Sequence, residues 1–165
     1  MTSQPVLNIP RSPLDGAIEI VAVAGIAFNL IYLIVNWAAM PDIIPIHFDV
    51  FGKVDSMGSK LTILLFPSLS LLFYILLTVV NRFPHTFNYP VPITEQNAYR
   101  QYEIALRLMK WMKMQLIWLF AFIEWQIIQA AIRKEFVLNI GFLLVIILVI
   151  FATVGYYLWQ AYQNR

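Results

Sequence analysis

The chain contains no cysteine, which excludes disulfides, thiolate zinc sites, iron–sulfur ligation and cysteine nucleophiles. Charge is scarce as well: 12% of residues are charged against 61% hydrophobic, and the mean hydropathy is +0.73. A soluble domain is about one quarter charged and about half apolar. So little polar surface cannot keep a chain of 165 residues in water, and part of its solvent must be lipid. Histidine is limited to His47 and His85. The net charge of +2 and pI near 8.9 come without the aromatic–basic interleaving of a nucleic-acid binder, so they are read as a loop bias at a membrane.

About twenty helical residues cross about 30 Å of hydrocarbon, and the apolar runs predict four such helices in a single membrane domain covering residues 1–165. The spans are read as about Gly16–Met40, Lys60–Val80, Lys113–Ile132 and Asn139–Tyr162. Ahead of them, Met1–Asp15 carries Pro5, Pro10 and Pro13 and lacks the basic-then-apolar order of a cleaved signal. It is expected to be a short irregular tail, with the first span acting as an uncleaved signal.

On the first span, Ala22, Gly25, Asn29, Tyr32 and Asn36 share one face. Small and amide residues on one stripe let helices approach and bond across the contact, so this stripe is expected to face inward. Pro67 is expected to bend the second span, along which Tyr74, Thr78 and Asn81 line one side. On the fourth, Gly141, Leu148, Ala152, Gly155 and Trp159 suggest a small-residue seam, and Tyr156, Tyr157, Trp159 and Tyr162 an aromatic belt.

The connection between spans two and three begins with Pro84, Pro90 and Pro92, which keep it extended. Thr94 then resembles a helix cap, with Glu95 in the first turn. Ala98, Tyr99, Tyr102, Ala105, Leu106 and Met109 form an apolar face beside a charged one of Arg100, Glu103, Arg107 and Lys110. This predicts an amphipathic helix that lies in the interface or continues into span three. Its basic residues either bind anionic lipid or dock a cytoplasmic regulator. Arg11, Arg82, Arg100, Arg107, Lys110, Lys113 and Arg165 fall on one side of the membrane, against Lys53, Lys60, Arg133 and Lys134 on the other. That bias predicts both termini in the cytoplasm and the first connection outside.

The first connection, Pro41 to Lys60, holds most of the distinctive residues. Ile44, Ile46 and Phe48 alternate with Pro45, His47 and Asp49, a strand-like period of two. A second extended piece through Val54 can pair back, giving a hairpin-like cap. Asp49, Gly52, Asp55 and Gly58 recur every third residue, which suggests successive tight turns.

The set Pro41, Asp42, Pro45, His47, Phe48, Gly52, Asp55, Gly58, Ser59 and Lys60, followed by Pro67, resembles a bacterial multi-pass membrane domain of unknown function. That domain is found at the start of the SdpI-type immunity proteins, which protect against a sporulation-delaying toxin. A second stretch, Asn81–Pro84 with Phe87–Pro90 and Asn97–Tyr102, is similar to the succeeding segment in short members of the family. The resemblance implies a multi-pass protein of the bacterial cytoplasmic membrane. It carries toxin resistance only by analogy of fold, since the immunity proteins have further spans and this chain ends after four.

Three chemical readings are weighed against it. His47, Asp49 and Asp55 are too few and too far from His85 for a zinc site, and too sparse for a calcium loop. Hydrogen bonding within the cap is the preferred role, with no metal or cofactor. Ser56, Ser59 and His47 lack a nucleophile elbow or oxyanion turn, so no enzyme is expected. Glu124 lies mid-span, where a charge costs about 2.5–3.5 kcal/mol. It is read as neutral or bonded to Asn29, Asn36 or Tyr74, or else as the coupling residue of a small transporter. Because Gln115, Gln126 and Gln129 lie opposite Glu124, the third span is expected at the centre of the bundle or of an oligomer. The expected fold class is all-α: four membrane helices, a small extramembrane hairpin and one amphipathic interfacial helix. Expected partners are the lipid bilayer and, as alternatives, a peptide toxin, a regulator or further copies of the chain, but no nucleic acid.

Overall fold

A computed structural model of the chain describes residues 4–134 and 139–165. The tail from Gln4 to Ser12 has no regular structure but is pinned. Gln4 donates to the Phe87 carbonyl at 3.3 Å, and the Tyr102 hydroxyl donates to the Pro5 carbonyl at 2.9 Å. Ser12 then opens helix α1, Pro13–Asn36, with a capping box. Its hydroxyl accepts from the Asp15 amide, and the Asp15 carboxylate accepts from the Ser12 amide. Pro13 at the first helical position loses no bond there.

Ile18, Ala22, Gly25, Asn29 and Leu33 are the buried line of α1, so the small-residue stripe does face inward. A Cβ added at Gly25 would stand 2.8 Å from Cγ2 of Ile117 and 3.1 Å from Nε1 of Trp118. Only glycine allows α1 to come this close to the helix that carries Ile117 and Trp118. The contact is tightened by Trp118, whose indole donates to the Val21 carbonyl at 3.0 Å.

After a turn through Trp37–Ala39, strands β1 (Ile43–Phe48) and β2 (Val54–Ser59) form an antiparallel hairpin. Ile44 pairs with Gly58, Pro45 with Met57 and His47 with Ser56, with register shifts on either side of His47. A 3-10 turn, Lys60–Leu64, leads into α2, Leu65–Val80. Pro67 lies about a third of the way along the candidate span Lys60–Val80, in the first turn of α2. Amides there have no intrahelical acceptor, so the expected bend becomes a change of helix type ahead of the proline.

Helix α3 runs without interruption from Ala98 to Arg133, 36 residues, or about 54 Å. The amphipathic segment is thus not a separate interfacial helix. No proline or glycine lies between Ala98 and Arg133 to stop it, and the segment continues straight into the third span. Thr94 and Asn97 do bond reciprocally, each side chain accepting the other's amide, but the helix begins only at Ala98 and Glu95 precedes it. α3 packs against α1, α2 and α4, and so forms the axis of the bundle.

Helix α4, Ile140–Gln163, starts at Asn139, whose side chain accepts from the Phe142 amide at 3.0 Å. It packs on α3 through contacts such as Gln115 to Thr153 at 2.8 Å and the Phe122–Phe142 ring pair. The expected seam points elsewhere: Leu148 and Trp159 are exposed, and nothing lies within 4 Å of a Cβ built on Gly155. The polar Thr153 and the bulky Ile146, Ile150 and Tyr157 share the more covered face instead.

Candidate functional site

At one end of the bundle, the cap is tied to the helices by its base. Ile44 is buried in a cluster with Leu33, Met40, Ile63, Ile127, Ile128 and Ala131, against which Phe48 also packs. Pro45 is buried beside it. Lys60 closes the base. Its amide donates to the Asp42 carbonyl at 2.9 Å, its ammonium meets the Asp42 carboxylate at 2.9 Å, and it lies 5.2 Å from the Trp37 ring centre. Pro41 lies exposed at the entry to this base.

The tip is a single turn. Asp49 Oδ1 accepts from the amides of Phe51 and Lys53 at 2.8 and 2.9 Å, and Gly52 takes φ 80°. A left-handed φ is nearly free only for glycine. The three-residue repeat does not make a succession of turns, however, because Asp55 and Gly58 lie within β2. Gly58 serves a close approach instead, its missing Cβ leaving room for Ile46, whose Cδ1 would stand 2.7 Å from it.

His47 and Asp55 form an exposed pair, with Nδ1 2.5 Å from Oδ1. Asp49 is engaged by backbone amides and Asp42 by Lys60, so the imidazole meets one carboxylate. His85 lies in the short turn Pro84–Thr86 at the far end of α2. Beside the dyad, Val50 and Phe51 are 82% and 77% exposed at the tip of the hairpin. The cap therefore presents a bare apolar point next to a polar pair.

Inside the bundle, Asn29 donates to the Gly25 carbonyl at 3.1 Å and to the Ser70 hydroxyl at 3.3 Å, linking α1 to α2. Asn36 donates to the Tyr32 carbonyl at 2.8 Å, and Gln129 of α3 bonds the Tyr32 hydroxyl. Glu124 is 1% exposed, and neither carboxyl oxygen has a partner among the described residues. The expected bonds to Asn29, Asn36 or Tyr74 are not made. The first two are bound as above, and Tyr74 lies under the ammonium of Lys113, 4.5 Å from its ring centre.

That ammonium belongs to a cluster that the sequence pattern did not reveal. Lys113 is 2% exposed, and its Nζ donates to both oxygens of Glu19, at 2.7 and 3.0 Å, and to the Thr78 hydroxyl at 2.9 Å. Three helices thereby meet on one cation. Nearby, Lys110 pairs with the buried Asp15 at 2.9 Å. The signal was available: Lys113 follows Met109 by four residues on the face of Ala98, Tyr102 and Leu106, so its side chain turns toward the bundle and needs a partner. On the charged side of α3, Glu103 bonds Arg100 at 2.7 Å and Arg107 at 3.0 Å. At this end of the bundle Tyr89 stacks on Tyr102 and donates to the Pro84 carbonyl at 2.8 Å. Burial, with the neighbouring phenol, holds its own phenol above the ordinary range and keeps the donor protonated.

Among the described residues, four helices long and apolar enough to cross a membrane, tied by buried polar contacts, define a multi-pass membrane protein. Residues 24–71 match the family model of a domain of unknown function, DUF1648. That stretch holds the whole set from Pro41 to Lys60 together with Pro67, so the resemblance stands for the hairpin and its flanking helices; the second stretch, Asn81–Tyr102, lies outside it. Neither the curated proteins nor the solved structures contain a match to the chain.

Proposed function

We propose that the chain is a non-enzymatic protein of the bacterial cytoplasmic membrane that senses or resists an envelope stress, such as a peptide toxin, through the cap around His47. The observation that carries the reading is the exposed pair Val50 and Phe51 at the tip of a cap whose base is locked to α1 and α3. An exposed apolar tip on a rigid support is suited to meeting an amphipathic peptide as it arrives at the membrane surface. The occurrence of the matched domain in SdpI-type immunity proteins supports the same direction. On this reading both termini are cytoplasmic and the cap faces outward.

Two experiments test it. With the native chain free of cysteine, single cysteines at Val50 and at Thr86 are labelled on intact cells with an impermeant maleimide. Labelling at position 50 alone is expected, and labelling at position 86 alone refutes an external cap. The variant Val50→Ser with Phe51→Ser, expressed at the normal level, is then expected to lose protection against a toxin that the parent resists. Unchanged protection sinks the proposal.

A second reading is favoured by one specific observation, the unpartnered carboxyl of Glu124 at the centre of the bundle. Intramembrane carboxyls of this kind mark ion or proton pathways. As a small transporter or transporter subunit, the chain would lose pH-dependent flux in proteoliposomes on Glu124→Gln; flux equal to that of the parent refutes this reading.

A further inference from the structure

At the end opposite the cap, a cavity of about 390 Å³ opens between the start of α1, the end of α2 and α3. Its volume falls within the range of about 300–1,000 Å³ that small-ligand sites occupy. Four cationic side chains line it, Arg11, Arg82, Lys110 and Lys113, with two carboxylates, Asp15 and Glu19. Each carboxylate is already matched to a lysine. Arg11 and Arg82 are left, exposed and with no carboxylate partner among the described residues. The lining thus carries four positive charges against two negative ones.

A second, independent feature lies on the same wall. Asp15 is 6% exposed, yet its Oδ1 has no hydrogen-bond donor, and neither does the buried Oδ1 of Asn81. Buried acceptors without donors are destabilising, and both residues line this cavity. An occupant must therefore do two things. It must bring an anionic oxygen cluster for the guanidiniums, which phosphate matches in geometry, and hydrogen-bond donors for the acceptors of Asp15 and Asn81. Ile9, Ile20 and Leu106 add apolar surface to the lining.

We propose that this cavity binds a phosphate ester carrying a neighbouring hydroxyl or ammonium donor, the phosphate held by Arg11 and Arg82 and the donor turned toward Asp15 or Asn81. Two sources offer this chemistry: a phospholipid headgroup such as phosphoglycerol, or a soluble phosphate ester. Arg100 and Arg107 do not line this cavity and share Glu103 instead. Basic pockets between membrane helices are a recurrent form of headgroup site.

The test uses the full chain, purified in detergent and stripped of lipid, titrated with dioctanoyl phosphatidylglycerol and followed by native mass spectrometry and thermal shift. Saturable binding is expected. Dioctanoyl phosphatidylcholine, which has the phosphate but no donor, should bind about tenfold more weakly. Arg11→Gln with Arg82→Gln should weaken phosphatidylglycerol binding by about tenfold or more, while Arg100→Gln leaves it unchanged. Glycerol 3-phosphate separates the sources. Competition at concentrations comparable to the lipid's identifies a soluble ester, and failure to compete identifies a headgroup. Equal affinity of the parent and the double variant overturns the proposal, as does phosphatidylcholine binding as tightly as phosphatidylglycerol. Should the double variant not fold, each single variant, at an exposed side chain, decides the same question.

Discussion

Removing one partner of the Lys113–Glu19 pair has an asymmetric effect set by where each side chain sits. The lysine side chain is 2% exposed and the glutamate 33%. Glu19→Gln removes the negative charge and leaves an ammonium buried among three helices with neutral partners alone: the new amide oxygen, the Thr78 hydroxyl and the Tyr74 ring. Breaking a buried pair in this way costs about 3–5 kcal/mol, and the three neutral partners that remain place the loss at about 3 kcal/mol. Lys113→Met leaves a carboxylate that reaches the open cavity, where water solvates it, so about 1 kcal/mol is expected. Replacing both, Glu19→Met with Lys113→Met, removes the two desolvation penalties together and should fall within about 1 kcal/mol of the parent. The assay is reversible unfolding in mixed dodecylmaltoside–SDS micelles, followed by tryptophan fluorescence, for the parent and the three variants. Equal losses for the two single variants, or a double variant at the sum of both, would refute the argument that the buried cation dominates.

Gly25→Ala should destabilise the bundle by about 1–3 kcal/mol in the same assay, because branched Ile117 cannot retreat from a Cβ at 2.8 Å; a neutral result means that α1 and α3 separate freely. Gly52→Ala forces a left-handed turn on a residue with a side chain, and should cost about 1 kcal/mol. Amide exchange is expected to rise in Ile43–Ser59 and to stay unchanged in α2. Glu124→Leu removes a buried carboxyl without partners, and stability should rise by about 1–3 kcal/mol as read by the unfolding midpoint in SDS; a lower midpoint shows that the carboxyl is bonded in the folded bundle.

The spans were legible because a long apolar run admits little but a membrane helix, and the inward stripe of α1 because its small residues keep helical spacing. The hairpin was legible from alternation at Ile44, Ile46 and Phe48. Periodicity alone misled where it had a second meaning: the three-residue spacing of Asp49 to Gly58 became one turn followed by a strand. The small residues of α4 share a face but, with no partner close to Gly155, do not define a contact. Pairing across helices was not legible. Lys113 was counted as a loop-side cation although its place on the apolar face required a carboxylate, and which carboxylate depends on the relative depth of α1 and α3. The partners assigned to Glu124 failed for the same reason, since shared polarity says nothing about height along a bundle.

The length of α3 has a mechanical meaning. Of its roughly 54 Å, hydrocarbon covers only about 30 Å, and the remainder stands in the interface and beyond as one unbroken rod. One end of this rod touches the hairpin through Ile127, Ile128 and Ala131. The other carries the Arg100–Glu103–Arg107 triad and receives Pro5 on Tyr102. Rocking it by about 5° around its midpoint moves each tip by about 2 Å in opposite directions. A tilt of this rod as one body would displace its two ends together, on opposite sides of the membrane, with no rearrangement inside the helix.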